Sequence, residues 1–254
     1  MKKNMHADVG KYYHEVKEIA LDGFKRLNGT TQTVHKKWEV PVGIWEVHVV
    51  RGEVLEKAIL ARIRLHMKNP RTGEDMRLEA VQAKVYPASP KIPILLFNIE
   101  NRATEEDNLA GFLDVVPVAA CEEDLRFLAG GIRRIVKKHG ENYEALRSKI
   151  EGMYKMDHWE KAFNAAIGIR LELAREKFDL VKEAGLQWLT SYFTIVEKRR
   201  KEPYDKEEKS LMDSIRTRIV EYYLLGDISI RVALKQGIPL EAMSLSTFAP
   251  TLRY

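Results

Sequence analysis

Residues 58–68 alternate apolar and basic side chains in a pattern that could bind an anion. Successive side chains of a β-strand point to opposite faces, so one face would carry Ile59, Ala61, Ile63, Leu65 and Met67, and the other Leu60, Arg62, Arg64, His66 and Lys68. Guanidinium and ammonium groups bind carboxylates, and histidine transfers protons near neutral pH. The basic face could therefore line an anionic pocket, and a solvated basic face is the alternative interpretation.

Two carboxylates lie inside apolar segments, where a charge is costly unless it is paired or useful. Asp114 stands between Leu113 and Val115 in the middle of a predicted strand. It is either a functional carboxylate or an aspartate that faces water on a half-exposed strand. Asp227 interrupts the β-branched stretch 218–234, which is predicted to form a strand. The dipeptide Gly226-Asp227 between two apolar runs favours a hairpin turn, and such a turn could also lie beside a functional site.

Several kinds of site are not expected from the composition. Cys121 is the single cysteine, which excludes a disulfide within the chain and a cysteine-rich metal site or iron–sulfur cluster. The seven histidines show no His-x-x-x-His or similar ligand spacing, so we expect no metal site. The segment LAGGIRR lacks the spacing and the preceding strand of a phosphate-binding loop.

The charge pattern favours a small anionic ligand. The 254-residue chain has a net charge of +5 and a pI of about 9.1, which suits either nucleic acid or an anionic small molecule. Most charges are mixed in sign, as in EKRRKEPYDKEEKS, so a nucleic-acid partner is not favoured. Because we find neither an 18-residue apolar run nor a signal-peptide pattern, we expect a cytoplasmic protein with no membrane span.

Hydrophobic periodicity predicts an α+β fold. Helices are predicted over 8–27, 122–138, 141–153, 179–199 and about 205–217, and strands over 42–52, 58–68, 77–86, 92–100, 110–118 and 164–173, with 218–234 completing about seven. Runs of strands with grouped helices indicate a mostly antiparallel sheet. We expect one domain over 1–254, in which 1–39 is an N-terminal helical extension and 40–254 holds the sheet and its covering helices.

The final third of the chain resembles the oxygen-dependent coproporphyrinogen III oxidase family. That family has an Arg-x-Arg-Tyr-Val-Glu stretch, a Tyr-Asp-Arg-Gly-Thr turn, a Gly…Glu…Met-Ser segment and a closing Arg-Trp-Glu-Tyr. The same order here reads Arg216-Thr217-Arg218-Ile219-Val220-Glu221, Gly226-Asp227, Gly237, Glu241, Met243-Ser244 and Arg253-Tyr254. The family has an arginine directly after the turn aspartate, where this chain has Ile228. A second family arginine aligns near Ile238 or Pro239, so it is missing here as well.

Upstream segments extend the resemblance to about residues 42–254. LHMKNP is similar to the family's His-Pro-(Lys/Arg)-Asn-Pro, and AGFLDVVP to its Gly-Gly-Gly-x-Asp-Leu-Thr-Pro. HWEKAFNAAIGIRLEL stands where the family has His-Arg-Gly-Glu followed by a Gly-Gly pair, and it keeps His158 and Glu160. The order and spacing of these segments carry the resemblance, since each motif is degraded.

The resemblance implies a seven-stranded antiparallel sheet covered by helices on both faces, commonly in a homodimer. It also implies oxidative decarboxylation of two propionates of an anionic porphyrinogen in haem biosynthesis, with O2 as co-substrate and no metal or organic cofactor. Asp114 would bind pyrrole N–H groups and His66 would act in proton transfer. The substrate-binding candidates are Lys68, Asn69, Arg71, Arg218, Asp227 and Arg231. Because two family arginines are missing, a second hypothesis is a non-catalytic homodimer that binds a tetrapyrrole or another anion.

Overall fold

A computed structural model of the chain describes residues 5–69, 72–104 and 107–250. Seven strands form one sheet in which each strand pairs antiparallel with its neighbour in sequence. They are β1 (Val34–Val40), β2 (Gly43–Val50), β3 (Leu55–Lys68), β4 (Asp75–Pro87), β5 (Ile94–Ala103), β6 (Asp107–Val116) and β7 (Ile169–Ala174). This meander keeps residues that are distant in sequence in fixed rows across the sheet.

Helices cover both faces of the sheet. The first face packs against α1 (Met5–Asn28), α2 (Glu122–Lys138), α3 (Tyr143–Ser148) and α4 (Phe178–Arg199). The second face packs against α5 (Lys206–Glu221), α6 (Ile228–Lys235) and α7 (Leu240–Thr247). Because side chains alternate along a strand, Leu60 and its even-numbered neighbours on β3 face the first layer, whereas Ile59 and Ala61 face the second. In the described ranges we find no helix with the length and apolar character that a membrane crossing requires.

Much of the element prediction is confirmed. The α+β class, the antiparallel seven-stranded sheet and the helices on both faces are observed. Helix α2 has the predicted bounds, and α1 buries the predicted stripe that includes Tyr12, Val16 and Phe24. These elements have a strong apolar period and clear end signals, which local sequence can specify.

Three boundaries differ from the prediction. The strand predicted over 164–173 is observed only as β7 (Ile169–Ala174), because the preceding residues 164–168 donate hydrogen bonds to the Asp114 carboxylate instead of pairing in the sheet. Residues 34–39, assigned from the sequence to the helical extension, belong to strand β1 (Val34–Val40), whose residues are mostly exposed. An exposed edge strand carries no alternating apolar signal, so VHKKWEV does not resemble a strand. The helix predicted over 141–153 is confined to α3, where the Asn142 side chain accepts a hydrogen bond from the backbone N–H of Ala145.

The prediction of strand and hairpin turn over 218–234 is wrong. Helix α5 continues to Glu221, a π-helical turn spans Tyr222–Gly226, and α6 follows. Asp227 is the N-cap of α6, and its Oδ1 accepts a 2.7 Å hydrogen bond from the backbone N–H of Ser229. Aspartate is a preferred N-cap residue, and Ile230 and Ala233 are the buried positions of α6. The same dipeptide that resembles a hairpin turn therefore starts a helix, and β1 supplies the seventh strand instead.

Candidate active site

A row of residues on the second face brings together two ionisable groups. Lys84 of β4 pairs with Leu96 of β5, and Leu96 pairs with Asp114 of β6. Leu96 belongs to the apolar core of the second face, so the side chains of Lys84 and Asp114 point to that face as well. Two strand spacings of about 4.8 Å separate their Cα atoms by roughly 10 Å. A cation and a carboxylate thus stand under the α5–α7 layer.

Lys84 is held against an aromatic ring. Its Nζ lies 3.8 Å from the ring centroid of Tyr223, in cation–π geometry. Burial lowers the pKa of Lys84 to about 7, while the Asp227 carboxylate acts in the opposite direction. A lysine with a pKa near neutrality can bind an anion when charged and accept a proton when neutral.

Asp227 reaches this region from the end of the π-helical turn. Its backbone N–H donates to the carbonyl of Tyr222 over 2.8 Å, and its side chain caps α6 through Ser229. Burial raises the pKa of Tyr222 and Tyr223, and the Asp227 charge raises both further. For Tyr222 this charge is the largest cause after burial. A π-helical turn often marks a functional segment, and this one places Tyr223 against the Lys84 ammonium and Asp227 close enough for its charge to raise the pKa of Lys84.

Asp114 is fully buried and its oxygens are occupied by internal donors. Oδ2 accepts hydrogen bonds from Asn164 Nδ2 at 2.7 Å and the backbone N–H of Ala166 at 3.0 Å. Oδ1 accepts from the backbone N–H groups of Ile167 at 3.3 Å and Gly168 at 3.2 Å. Burial raises the pKa of Asp114 to about 6, although these hydrogen bonds favour the charged form.

The segment around Ala166 is shaped to reach Asp114. Ala166 has a positive φ of 52°, a conformation uncommon for residues other than glycine. A Cβ at Gly168 would lie 1.7 Å from the carbonyl oxygen of Leu113, so only glycine allows this close approach. Strained backbone held in place by surrounding structure is typical of functional sites, and here it directs three N–H groups toward one carboxylate.

Asn98 adds a free acceptor next to this row. Its side chain is 6% exposed, and Oδ1 has no hydrogen-bond partner among the residues that the structure describes. Nδ2 donates to Glu100 Oε1 at 2.6 Å, which fixes the amide orientation. Asn98 pairs with Gln82 of β4 and Phe112 of β6, so it belongs to the adjacent row of the second face. A buried unpaired oxygen is costly and is available for an N–H group of a ligand.

An aromatic wall, formed by the rings of Phe112, Tyr154, Phe163 and Tyr222, packs on the second face near both Asp114 and Asp227. The ring of Tyr154 lies 5.7 Å from Phe112, 4.9 Å from Phe163 and 5.1 Å from Tyr222, between centroids. Tyr154 is fully buried, and the charges of both Asp114 and Asp227 contribute, after burial, to raising its pKa. Flat rings around a few polar groups are typical of sites that bind planar or cyclic organic ligands.

His66 lies on the other face of the sheet. It has the same parity on β3 as Leu60, which packs in the first-face core, and it pairs with Arg77 of β4. His66, Arg64 and Arg77 are exposed and line an open cleft of about 350 Å³. The basic face predicted from the sequence is observed, but the sheet separates His66 from Asp114, Lys84 and Asp227.

The predicted binding residues near His66 belong to the β3–β4 turn. Lys68 Nζ pairs with Asp75 Oδ1 at 3.0 Å on the exposed surface. Asn69 accepts a hydrogen bond from the backbone N–H of Gly73 through its carbonyl. Arg71 and the motif residue Pro70 lie outside the described residues, as do Arg253 and Tyr254. The described turn residues have local partners, which accounts for the turn without a ligand.

The remaining predicted cations lie in the α5–α7 layer. The guanidinium of Arg218 stacks 4.6 Å from the ring centroid of Trp159, which itself packs in the second-face core. Arg231 is exposed on α6. Arg216, by contrast, is fully buried and pairs with Glu56 at 2.7 Å, so it is already used. Arg218 therefore contacts Trp159, whose ring lies 6.0 Å from Phe163 of the aromatic wall.

Lys84 and Asn98 were not predicted from the sequence. Each is a polar residue inside an apolar strand segment, AVQAKVY or ILLFNIE. Both residues, like Asp114 and Asp227, are polar groups in apolar segments, where burial is costly unless the group is paired or useful. What the sequence lacks is the register that places Lys84 and Asp114 in one row.

Comparisons with known proteins agree with the motif order. The family described as coproporphyrinogen III oxidase matches residues 9–253. The oxygen-dependent coproporphyrinogen-III oxidase of Coxiella burnetii (strain Dugway 5J108-111) is 22% identical over 269 residues, which cover 96% of this chain and 86% of the relative. The protein of the same name from Francisella philomiragia is 24% identical over 221 residues, or 78% of this chain and 71% of the relative. The resemblance inferred from the motifs is confirmed and extends into α1: the chain belongs to the coproporphyrinogen III oxidase family.

Proposed function

We propose that the protein binds an anionic porphyrinogen on the second face of the sheet and oxidatively decarboxylates its propionate side chains in haem biosynthesis. Each propionate loses its carboxylate as CO2 and gives up two electrons and a β-hydrogen to become a vinyl group, and O2 accepts the electrons. Family membership supports the reaction class. The observation that carries the assignment to this face is the shared row of Lys84 and Asp114.

In this proposal Lys84 binds a propionate carboxylate. The family resemblance places arginines at positions that are Ile228 and about Pro239 here, so another cation must neutralise the substrate. Lys84 is half-buried under Tyr223, where a charge-assisted hydrogen bond to a carboxylate is stronger than in water. Arg218 is a second cation in the same layer for another propionate.

Asn98 and Asp114 are proposed to face the pyrrole nitrogens. The free Oδ1 of Asn98 suits an N–H donor directly. A carboxylate has about four lone-pair positions, and four donors already contact Asp114. Direct binding of pyrrole N–H groups by Asp114 therefore requires that segment 164–168 give up some of its hydrogen bonds.

The cofactor and assembly follow the family resemblance. We propose that O2 is the co-substrate, that no metal or organic cofactor takes part, and that the chain acts as a cytoplasmic homodimer. Light scattering of the purified protein, with a mass of two 29.3 kDa chains expected, tests the dimer. Activity that persists after dialysis against a chelator tests the absence of a catalytic metal.

The decisive experiment is turnover with coproporphyrinogen III in air. We expect O2-dependent release of CO2 and products with one and two vinyl groups, separated by chromatography after oxidation to porphyrins. The same incubation under argon tests the O2 requirement, and incubation in air without the protein is the control for autoxidation. Absence of vinyl products, together with absence of binding of any porphyrin or porphyrinogen, would overturn the proposal.

A second function, tetrapyrrole binding without chemistry, is favoured by one observation. The Asp114 carboxylate, which is expected to contact the substrate, already accepts hydrogen bonds from four donors of its own chain. If this is the function, coproporphyrin binds with a stoichiometry of one per chain, Lys84→Met weakens the binding, and no CO2 appears in air. Turnover in the decisive experiment excludes it.

A further inference from the structure

Two histidines and a glutamate converge at the β1–β2 edge of the sheet. His35 pairs with His48 across the hairpin, and Glu46 lies two pairs further along, opposite Lys37. His35 Nε2 lies 3.0 Å from Glu46 Oε1, and His48 Nε2 lies 3.2 Å from the same oxygen. Among the described residues this is the one group of three potential ligand residues, and its ligand atoms all lie within 4.8 Å of one another.

We propose that His35, Glu46 and His48 bind a divalent first-row transition metal, with Zn²⁺ as the best fit. Imidazole nitrogen and carboxylate oxygen are ordinary zinc ligands at about 2.0–2.2 Å. Around a tetrahedral ion, bonds of that length place the ligand atoms roughly 3.4 Å apart, close to the two distances observed here. Three protein ligands leave the fourth position of a tetrahedral ion open. Water can reach that position, since half of the His35 side chain is exposed.

The present ring positions are those of the metal-free hairpin. The imidazoles of His35 and His48 stack with centroids 4.2 Å apart and planes inclined by 3°. A metal must lie near the plane of each ligating ring, and no point lies in two parallel planes. One ring must therefore turn, and it is His35 that can, since His48 is only 7% exposed and χ2 of histidine has a broad torsional profile.

The site is separate from the proposed catalytic face. His48 and Glu46 share their parity on β2 with Val50, which packs in the first-face core. Lys84 and Asp114 lie on the second face, so metal binding and porphyrinogen binding use different surfaces. The ion would connect the exposed edge strand β1 to β2, which adds stability to the strand that has the fewest buried side chains.

Lys17 of α1 is the cation that faces this cluster. Its charge acts on both Glu46 and His48. Its positive charge repels a metal ion bound at this site, so it lowers the metal affinity without contributing a ligand. Its replacement changes the charge at the site and leaves all three ligands in place.

Titration of tag-free protein with Zn²⁺ in competition with a chromophoric chelator tests the proposal. We expect one equivalent per chain, at least a roughly 10-fold loss of affinity in His35→Ala and in Glu46→Gln, and tighter binding in Lys17→Gln. Co²⁺ should give visible d–d absorption bands that both ligand variants lose. Circular dichroism and thermal unfolding without metal verify that the variants fold. We expect His35→Ala to fold, because half of the His35 side chain is exposed.

His139→Ala is the matched control. His139 Nε2 contacts Glu183 Oε2 at 2.8 Å, and among the described residues this histidine–glutamate pair has no third potential ligand residue beside it. Its removal should leave Zn²⁺ affinity and the Co²⁺ spectrum unchanged. The proposal is overturned if the wild-type protein binds no Zn²⁺, if the ligand variants bind as the wild type does, or if His139→Ala loses as much affinity as His35→Ala.

Discussion

Lys84 and Asp114 lie in the same row of the sheet, on strands β4 and β6, with Leu96 between them. They are 30 residues apart in sequence, and only the antiparallel register of three strands makes them neighbours. One is a desolvated cation and the other a desolvated carboxylate, and their pKa values shift toward each other, to about 7 and about 6. Such pairs of environment-shifted groups are where acid–base and anion-binding functions are found.

The pKa of Lys84 predicts how ligand binding depends on pH. With a pKa of about 7 the ammonium is largely charged at pH 6 and largely neutral at pH 8. The affinity for a propionate-bearing porphyrin should therefore fall as the pH rises through 7. Fluorescence titration with coproporphyrin III at several pH values measures this dependence.

Lys84→Arg separates charge from other causes of that pH dependence. Arginine stays protonated throughout this range, so the variant should bind with a nearly flat profile between pH 6 and 8. Lys84→Met should bind at least about 10-fold more weakly at pH 6, in line with the loss of a charge-assisted contact. A wild-type profile in Lys84→Arg would show that another group titrates.

His66→Ala distinguishes the two faces of the sheet. Because His66 is exposed on the first face, away from Lys84 and Asp114, we expect turnover and porphyrin affinity to stay within about twofold of the wild type. Steady-state kinetics of this variant beside Lys84→Met makes the comparison. A loss of kcat in His66→Ala with normal Lys84→Met kinetics would place the substrate in the cleft of the first face.

The sequence predicts most of the fold because the core strands and long helices are amphipathic or strongly apolar. Strands β2 to β6 and helices α1, α2 and α4 each have a clear period, and the structure has them near the expected bounds, whereas β7 begins five residues later than predicted. Residues 218–234 fail because β-branched side chains favour strand locally, whereas the tertiary layer over the second face requires a helix. Propensity is a weak signal where packing decides otherwise.

The candidate site is less predictable than the fold. Asp114 is recognisable as a polar residue in an apolar segment, and the motif order adds Asp227. Their alignment with Lys84 depends on strand register, and the placement of His66 on the other face depends on the parity of β3. The His35–Glu46–His48 cluster escapes a search for short ligand spacings because its members meet across a hairpin.

Two variants of Asp227 separate its charge from its helix cap. Asparagine is as good an N-cap as aspartate, so Asp227→Asn should keep the stability of α6 but remove the charge that raises the pKa of Lys84. The midpoint of the pH-dependent porphyrin affinity should then move to lower pH. Asp227→Ala should show the same movement and also lose about 1 kcal/mol of unfolding free energy. An unchanged midpoint in both variants would contradict the electrostatic role.

Asp114→Asn tests the internal role of the buried carboxylate. An amide has one acceptor oxygen, so N–H groups of Ala166, Ile167 or Gly168 would lose their partner, and its NH2 would face other donors. We expect about 2–3 kcal/mol lower unfolding free energy at pH 7 by urea denaturation, against about 1 kcal/mol for Asn164→Ala, which removes one donor.

The pH dependence of stability gives a second readout for Asp114→Asn. The folded protein retains the Asp114 proton up to about pH 6, above the ordinary pKa of 3.8, so its contribution to stability declines as pH rises from 4 to 6. Asp114→Asn should lack that decline, and a variant with wild-type stability and wild-type pH dependence would show that segment 164–168 does not depend on the carboxylate.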